Sequence, residues 1–582
     1  MAGPVTRLLA GFLAGSCLAG MPTVPPAETL VQQRLDYEAD TAKTIMELQP
    51  FRTQDRTALR RADGTPGDAT LTNLNPAINA WYLLSVKWQD GTPAANYHLQ
   101  TAHRQGLRLL AGDPDSIRLG STDGGVCTLT VGHGSSPLDA ARRSELPYAP
   151  LCAERLYLRN PVAGQHTSLE RITDFLRDRV WGGEQVISFV KENFFQDRFL
   201  ESPGHDAAHE TAQEAPSPFM PQAATLEAQR AGEAIDPQHL EVSWAAAGRE
   251  LLPGQWYSQG QLHGIFVSGI APEDISREIL TGHERSVNPL DAVESGALVY
   301  LIAFDLQRLD LHFVVGTDHP RLDWSDRAQR DPRLPGPDGV ASAAPLVTNG
   351  MVSPADVEAT VASFAGGFKR EHGAFKFGVL AQRNHGSHYG FIEDGVILSK
   401  LQPSLATVVV LDDGSVDART WTREDDILLP HVRYARQNGV PLIEYDPVHH
   451  LGIPGDLVNL WGEGNWSGSA NVDLRTLRAG LCLQDTGRRR FLIYGYFSAA
   501  TPSAMARVFQ AYHCRYALHL DMNALEHTYL ALYIHQNRQR IVQHLIGGMS
   551  AVDRHSGGQF VPRFLGFPDN RDFFYFTQRS VP

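Results

Sequence analysis

Apolar residues in the second half of the chain follow short, regular patterns that predict strands joined by turns. The stretch 297–315 contains two apolar runs that are typical of two paired strands. The stretch 405–416 predicts a buried strand that ends in a turn at Asp413-Gly414. Sheet-forming strands are therefore expected across this half of the chain.

The clearest predicted unit is a strand, a helix and a second strand within residues 490–534. FLIYGYF at 491–497 and YALHL at 516–520 are strand-like, and Thr501 is a suitable helix N-cap with proline directly after it. One face of the helix between them is apolar and consists of Met505, Val508, Phe509 and Tyr512. A right-handed crossover would make the two strands parallel.

Parallel strands would bring polar residues together at one edge of the sheet. Ser498 and Asp521 would both lie at the carboxyl ends of strands, where open sheets tend to bind ligands. Asn523, Glu526 and His527 follow Asp521 in a short loop. Asp521 is therefore the first candidate for a functional residue.

The first half predicts a separate α+β domain. Short strands are predicted at 81–88, 97–102, 116–121 and 127–132, and a pair of helices at 169–195. Residues 201–240 are rich in Ala, Pro, Glu and Gln, which predicts a flexible linker. The expected organisation is a signal peptide at 1–25, an N-terminal α+β domain at 26–200, the linker, and a second domain at 241–582.

The N-terminus predicts export. Residues 8–20, LLAGFLAGSCLAG, form an apolar run of signal-peptide length followed by small residues and prolines, and a buried N-terminal helix is the alternative. No internal stretch reaches the 18 or so consecutive apolar residues of a membrane span, so no integral membrane segment is expected after signal cleavage. We expect a periplasmic, extracellular or envelope-associated protein.

Charge and cysteine content narrow the expected partners and compartment. The chain has 582 residues, 42% of them hydrophobic, and a net charge of −14, with no basic run that alternates with aromatics. Nucleic acid and anionic membrane surfaces are therefore poor candidate partners. The cysteines outside the signal are Cys127, Cys152, Cys482 and Cys514. Three pairings are possible, of which pairing of nearest neighbours gives one bridge in each half, and four buried free thiols are the alternative.

Several motifs together resemble one enzyme family. The segments ASFAGGFKREHGAF, SHYGFIEDGVIL, LATVVVLDDGSV, LRAGLCL and YALHLDMNALEHTYLALY occur in this order within roughly residues 243–580. They resemble motifs of the phosphodiester glycosidase family, in a divergent, bacterial-type branch. The resemblance implies a mixed sheet with a crossover helix, and cleavage of a sugar from a phosphodiester at its anomeric carbon.

The resemblance also implies site residues. Asp521 and Glu526 would be the catalytic carboxyl groups, and Arg478 would hold the phosphate. Substrate-binding candidates are Gly366, Gly367, Lys369, His372 and Asn523. The sequence departs from the family pattern at Ala365, where the family usually has asparagine, and in the loop after Asp521, which lacks the usual glycines.

These departures leave three functional hypotheses open. The first is an exported hydrolase that acts on a sugar phosphodiester or an envelope glycan. The second is a glycan-binding or cell-envelope protein that keeps the fold after a change in catalysis. The third is a metal-dependent hydrolase that uses some of the 23 histidines. None of these histidines forms a recognised ligand pattern such as H-E-x-x-H, so the leading hypothesis includes no metal or other cofactor.

Overall fold

The structure is a computed structural model. It describes residues 30–38, 44–110, 112, 115–131, 136–168, 170–171, 197–203, 219–245, 250–319, 347–368, 389–461, 471, 473–537 and 539–579. The predicted signal peptide at 1–25 and nearly all of the predicted helical pair at 169–195 lie outside these residues.

The N-terminal half is built from antiparallel strands. They are β1 (Thr53–Arg60), β2 (Pro66–Asn73), β3 (Trp81–Trp88), β4 (Ala95–Thr101), β5 (Leu107–Leu110), β6 (Ser116–Ser121), β7 (Val126–Thr130), β8 (Tyr148–Leu151) and β9 (Leu156–Arg159). Sheet 1 has the order β1-β2-β3-β4-β9-β8, and sheet 2 has the order β5-β6-β7. The four strands predicted in this half are present as β3, β4, β6 and β7.

The C-terminal half contributes most of the strands. They are β10 (Tyr257–Ser258), β11 (Ile265–Ile270), β12 (Val299–Asp305), β13 (Leu309–Val314), β14 (Thr360–Ala365), β15 (Phe391–Glu393), β16 (Val396–Ser399), β17 (Ala406–Leu411), β18 (Val416–Thr420), β19 (Val432–Gln437), β20 (Pro441–Asp446), β21 (Leu451–Pro454), β22 (Thr476–Asp485), β23 (Arg490–Ala500), β24 (Cys514–Met522), β25 (Leu530–Gln536), β26 (Gln539–His544), β27 (Arg554–Ser556), β28 (Gln559–Val561) and β29 (Phe573–Gln578).

These strands form three large sheets and one hairpin. Sheet 3 has the order β10-β11-β12-β23-β22-β24-β20-β21, sheet 4 has the order β13-β29-β14-β25-β26, and sheet 5 has the order β16-β15-β19-β17-β18. The hairpin pairs β27 with β28.

Helices are short in the described part of the chain. They are α1 (Leu30–Glu38), α2 (Pro137–Arg143), α3 (Arg277–Thr281), α4 (Ala292–Gly296) and α5 (Pro502–Ala511), with 3-10 helices at Pro272–Asp274, Glu424–His431, Val458–Leu460 and Gly547–Val552. Strands dominate, and the described fold belongs to the predicted α+β class.

The predicted strand, helix and strand unit is present as β23, α5 and β24. Thr501 caps α5 by accepting a hydrogen bond from the backbone N–H of Ala504, and Pro502 is the first helical residue. Both β23 and β24 run antiparallel to β22, which lies between them, so they are parallel to each other without being neighbours. A Cβ atom at Gly480 in β22 would lie 2.9 Å from the ring of Phe509, so glycine permits the close approach of α5.

Aromatic side chains join sheets 3 and 4 face to face. The rings of Phe304 in β12 and Phe576 in β29 stack with centroids 4.2 Å apart. The rings of Phe364 in β14 and Tyr494 in β23 lie with centroids 5.3 Å apart. All four residues are at most 1% exposed, so they form the central part of the core.

Two adjacent apolar runs belong to different sheets. The sequence predicts that the strands within 297–315 pair with each other, and this is wrong. β12 pairs with β11 and β23 in sheet 3, whereas β13 pairs with β29 in sheet 4. The partner of a strand is set by the packing of the whole fold, which local alternation does not encode.

The described part of the predicted linker packs against the C-terminal half. Three isolated β-bridges join Leu226 to Ile275, Ile235 to Leu251, and Leu240 to Ile546. Ile235 is 2% exposed and Leu240 is 7% exposed. Of the predicted linker over 201–240, residues 204–218 lie outside the described part of the chain; within 219–240, Ile235 and Leu240 reach the core, whereas Phe219 is 58% exposed.

The two halves share a buried ion pair. The guanidinium of Arg159 in β9 donates to Glu393 in β15 at 2.7 Å, and the side chains are 0% and 2% exposed. The same guanidinium lies 3.7 Å from the ring centroid of Trp81. Further along, the side chain of Gln49 bonds both the N–H and the carbonyl of Ile397. The N-terminal residues are therefore integral to the packing of the C-terminal sheets.

Both cysteine pairs are joined as nearest neighbours. Disulfides connect Cys127 to Cys152 and Cys482 to Cys514, with Cα atoms 5.7 Å apart in each pair. Structural disulfides persist in oxidising compartments, so these bonds are compatible with an exported protein. Among the described residues, no helix is both long and apolar enough to cross a membrane.

Candidate functional site

The carboxylate of Asp521 lies at the carboxyl end of β24, at the predicted edge of the sheet. The residue is 4% exposed. Its Oδ1 accepts a hydrogen bond from the N–H of Met522 at 2.8 Å, and its Oδ2 accepts one from Nη1 of Arg571 at 2.5 Å. The cation that pairs with Asp521 is therefore Arg571, a residue that the sequence analysis did not select.

Arg571 is the centre of the cluster. Besides Asp521, it donates through Nε to Glu170 at 2.6 Å and through Nη2 to the ring Nε2 of His527 at 2.7 Å. Burial alone would lower the pKa of Arg571, but Glu170 and Asp521 outweigh it and hold that pKa above its ordinary value. Arg571 is 2% exposed and stays charged.

The tautomer of His527 follows from its partners. Its Nδ1 lies 2.8 Å from the carbonyl oxygen of Met522, which only accepts hydrogen bonds, so Nδ1 carries the proton. Its Nε2 faces Arg571, which only donates, so Nε2 presents its lone pair. Burial and then the charge of Arg571 lower the pKa of His527, which is consistent with a neutral ring.

Glu526 is the more accessible of the two predicted carboxyl groups. Its side chain is 14% exposed and lies 3.8 Å from Nε2 of His527. Its Oε1 accepts a hydrogen bond from the hydroxyl of Thr167 at 3.0 Å. The structure therefore brings Asp521 and Glu526 to one cluster, linked through His527 and Arg571.

The segment around Thr167 comes from the N-terminal half and reaches this cluster through a close backbone contact. Gln165 forms a parallel β-bridge with Asp569. A Cβ atom on Gly164 would lie 2.4 Å from the backbone N of Asn570, so a side chain at this position would prevent the contact. Thr167 and Glu170 then bond each other's backbone N–H groups, as in a capping box, which fixes the Glu170 carboxylate beside Arg571.

A charged segment, Asp569-Asn570-Arg571-Asp572, supplies the base of the site. Asp569 accepts two hydrogen bonds from Arg563, at 2.7 and 3.0 Å. Each of the four residues is at most 2% exposed. Buried charges are retained when they are paired and hydrogen-bonded, and here every charge in the segment has such a partner.

Asp572 carries a second group of contacts. It accepts hydrogen bonds from Gly316 N–H at 2.8 Å, from His319 Nδ1 at 2.6 Å and from Arg436 Nη2 at 3.2 Å. Burial alone would raise the pKa of Asp572, but His319 and Arg436 lower it below its ordinary value. The carboxylate form of Asp572 therefore holds this side of the cluster together.

The predicted glycine pair lies against this second group. The N–H of Gly366 donates to the carbonyl of Asp572 at 2.7 Å. Gly367 has a φ of +136°, and a Cβ atom there would lie 2.7 Å from the guanidinium of Arg436. The glycines therefore allow the backbone to approach a buried cation, and the Gly366 N–H is engaged within the protein.

Arg478 occupies a different environment from the predicted phosphate-binding one. Its guanidinium donates to the carbonyls of Ala500 at 2.7 Å and Leu474 at 3.2 Å, and to the sulfur of Met522 at 3.3 Å. Burial lowers its pKa to about 9. These contacts tie together the ends of β22, β23 and β24, which is a structural role.

Of the remaining predicted residues, Asn523 is described by the structure, whereas Lys369 and His372 are not. Asn523 has a left-handed backbone with φ of +78°, and its Oδ1 accepts a hydrogen bond from the hydroxyl of Thr476 at 3.2 Å. This contact anchors the loop after Asp521 to β22.

Glu170 and Arg571 were not among the predicted site residues, because the sequence signals around them are weak. Asp569–Asp572 is a polar run between Phe567 and a strongly apolar strand, and such runs are usually exposed turns. The pattern Thr167-x-x-Glu170 is a capping-box signature, which predicts a helix start rather than a functional site. Neither pattern shows that the two segments meet.

Comparisons with known proteins give distant fold-level likenesses. No protein-family model and no curated protein sequence matches the chain. The catalytic domain of zebrafish N-acetylglucosamine-1-phosphodiester alpha-N-acetylglucosaminidase, solved in a form auto-inhibited by its pro-peptide, is 12% identical. The match covers 54% of this chain and 82% of that one, with a TM-score of 0.28.

Two further solved structures are similar at the same level. A hypothetical protein from Synechocystis is 10% identical, with 90% of this chain and 99% of that chain covered and a TM-score of 0.25. A candidate exported protein from Burkholderia pseudomallei is 11% identical, with 50% and 76% covered and a TM-score of 0.20. The similarity to all three is weak and concerns the fold, so the chemistry must be argued from the site itself.

In the part of the chain that the structure describes, no group of three or more His, Cys, Asp or Glu side chains is arranged to hold a metal ion.

Proposed function

We propose that the chain is an exported hydrolase that cleaves a sugar from a phosphodiester at the Asp521 cluster. One observation carries this proposal: the two carboxyl groups selected from the sequence, Asp521 and Glu526, meet a buried arginine and a neutral histidine at a strand end. Glycosyl C–O cleavage uses two carboxyl groups, and a phosphate leaving group needs a cation to hold its charge.

Arg571 takes the role first expected of Arg478. Of its five N–H groups, three bond Glu170, Asp521 and His527, which leaves one on each terminal nitrogen without a partner among the described side chains. Two such donors match a pair of phosphate oxygens. Arg571 would hold the departing phosphate, and its fixed position would remove the cost of ordering it during the reaction.

The two carboxyl groups differ in their exposure and partners, which supports different roles for them. Asp521 accepts a hydrogen bond from Arg571 and suits the nucleophile or the base that activates water. Glu526 is more exposed and lies beside the neutral His527, so it is the group from which a proton can reach a leaving oxygen. The separation of the two carboxyl groups in the substrate complex would decide between retention and inversion.

The experiment is a turnover assay on residues 26–582 with chromogenic and phosphate-linked α- and β-sugars. We expect a sugar phosphodiester to be hydrolysed, with turnover lost in Asp521→Asn and in Arg571→Lys and unchanged by EDTA. Asp90→Asn is the matched control, because Asp90 lies in the N-terminal half, outside the cluster, and is also paired with an arginine, Arg61. Turnover that survives in folded Asp521→Asn would contradict the proposed site.

A binding protein without turnover is the second candidate function. It is favoured by the rigid loop after Asp521, where the N–H groups of Met522, Asn523 and His527 are all bonded within the protein. Ala365, in place of the family's asparagine, uses its N–H in the sheet with Tyr529. Retained binding of a sugar phosphate by the wild-type protein, with no hydrolysis of any substrate, would favour this function over the first.

A further inference from the structure

A separate cleft lies between helix α1 and the 3-10 helix Glu424–His431. We call it the α1 cleft, and its volume is about 290 Å³. It is near the lower limit of ordinary ligand pockets and fits a small molecule with one ring.

The floor of the α1 cleft is apolar and rigid. Tyr37 and Leu429 line it and are each 3% exposed, and Pro50 lies beside them. Tyr37 and Leu429 also belong to a hydrophobic cluster with residues of sheet 5. The floor of the cleft therefore consists of apolar side chains that are packed in the core.

The walls add an aromatic face and an exposed aliphatic side chain. Phe51 lines the cleft, and the guanidinium of Arg34 lies 5.2 Å from its ring centroid. Ile427 also lines the cleft and is 81% exposed. A large apolar side chain this exposed at the mouth of a cleft is typical of a contact surface.

The rim carries both signs of charge. Arg34 and Arg423 supply guanidinium groups, which only donate hydrogen bonds, and Glu38, Glu424 and Asp426 supply carboxyl groups. Ionised carboxylates only accept hydrogen bonds. Donor-only and acceptor-only groups thus surround one small apolar floor.

We propose that the α1 cleft binds a single saccharide ring. Each hydroxyl of a sugar both donates and accepts, so one ligand can satisfy donor-only and acceptor-only groups at once. Its carbon-bound hydrogens form apolar faces that suit the Phe51 ring. A cationic ligand would meet Arg34 and Arg423, and an anionic ligand would meet the three carboxyl groups, so a neutral polyol fits this rim best.

The proposal is independent of hydrolysis at the Asp521 cluster. None of the residues that line the α1 cleft contributes a side chain to the contacts of Asp521, Arg571 or Glu170. A sugar site apart from the reacting groups would hold a polymeric glycan against the protein. The cleft can therefore be occupied whether or not the chain turns over a phosphodiester.

The test is saturation-transfer difference NMR on residues 26–582, with methyl glucopyranoside, N-acetylglucosamine and chitotriose as probes. Choline and inorganic phosphate are the cationic and anionic probes. We expect at least one saccharide to bind with a Kd of about 1 mM, the range for a small ligand of this size. We expect choline and phosphate to bind at least tenfold more weakly.

Variants locate the binding. The double variant Arg34→Ala with Glu424→Ala should weaken saccharide binding about tenfold or more, and Ile427→Ala should weaken it several-fold. Arg488→Ala and Val448→Ala are matched controls, since Arg488 is exposed and Val448 is 77% exposed, and neither lines the cleft. Melting temperatures would show that every variant is folded.

Each outcome decides the proposal. Binding that is lost in the α1 cleft variants but kept in the controls and in Asp521→Asn supports it. Binding that is lost in Asp521→Asn and kept in the cleft variants would place the sugar at the other site and overturn it. Stronger binding of choline or phosphate than of any saccharide, or no saccharide binding at about 20 mM, well above the expected Kd, would also overturn it.

Discussion

The contacts of Arg571 predict a strong coupling between two carboxyl groups that lie 351 residues apart in the chain, Glu170 and Asp521. Each is 2.5 to 2.6 Å from the same guanidinium, and all three side chains are at most 6% exposed. In Asp521→Asn or Glu170→Gln alone, Arg571 keeps one carboxylate partner. Each single variant should therefore lower the free energy of unfolding by only about 1 kcal/mol, near the net value of one hydrogen bond.

The double variant should behave differently because it removes both anions. Arg571 would then be a buried cation without compensation, which costs about 3–5 kcal/mol. The coupling energy between the two substitutions should thus be about 1–3 kcal/mol, at the upper end for residues that share a partner.

A double-mutant cycle measured by urea unfolding at pH 7 tests this reasoning. The same cycle between Asp521→Asn and Asp90→Asn is the control, since the cation beside Asp90 is Arg61, and those two effects should add. If the Glu170 and Asp521 substitutions are also additive within about 0.5 kcal/mol, they do not share Arg571 and the described cluster is wrong.

Three further predictions concern stability. Glu393→Gln should lower the free energy of unfolding by about 3–5 kcal/mol, because it leaves the charge of Arg159 buried without its partner. The double variant Arg159→Met with Glu393→Leu should recover most of this loss in the same urea assay, and no recovery would contradict a buried ion pair. Burial raises the pKa of Asp274 to about 6, so the contribution of its protonated form to stability is full below about pH 4 and is lost as the pH rises through 6. Asp274→Asn should therefore raise the melting temperature at pH 7.5 but not at pH 3.5, and an equal change at both pH values would contradict this prediction. Gly367→Ala should lower the free energy of unfolding by about 3 kcal/mol, because the φ of Gly367 is positive and the added Cβ would contact Arg436. Gly487→Ala is the control, since Gly487 also has a positive φ but faces open space, and it should cost about 1 kcal/mol. Equal losses in the two variants would show that the contact with Arg436 is unimportant.

The sequence predicted individual strands and helices better than it predicted which strands pair with each other. The strands and the capped helix around Thr501 follow from alternation and from the short-range chemistry of the cap, so they could be identified from the chain alone. The pairing of β12 and β13 was predicted incorrectly because register and sheet membership depend on distant residues. The local pattern of apolar and polar residues does not show which strands become neighbours in a sheet.

The same distinction applies to the candidate site. Asp521 was identifiable because a strand end and a motif marked it. Arg571 was not, because a run of charged residues is usually solvated and only the assembled fold shows that this one is buried with partners. Arg478 was selected for its charge, and in the structure its guanidinium donates to the backbone carbonyls of Ala500 and Leu474.

The contact between Glu170 and Arg571 also bears on how the protein is made. The two residues are 401 positions apart, and Arg571 lies close to the end of the sequence. At about 5–20 residues per second, a ribosome needs roughly 20–80 s to add the residues between them. The N-terminal sheets have that time to fold before the arginine exists. The cluster is thus completed only after the chain has been extended to Arg571, and a chain that stops short of this residue lacks the cation that pairs with Asp521.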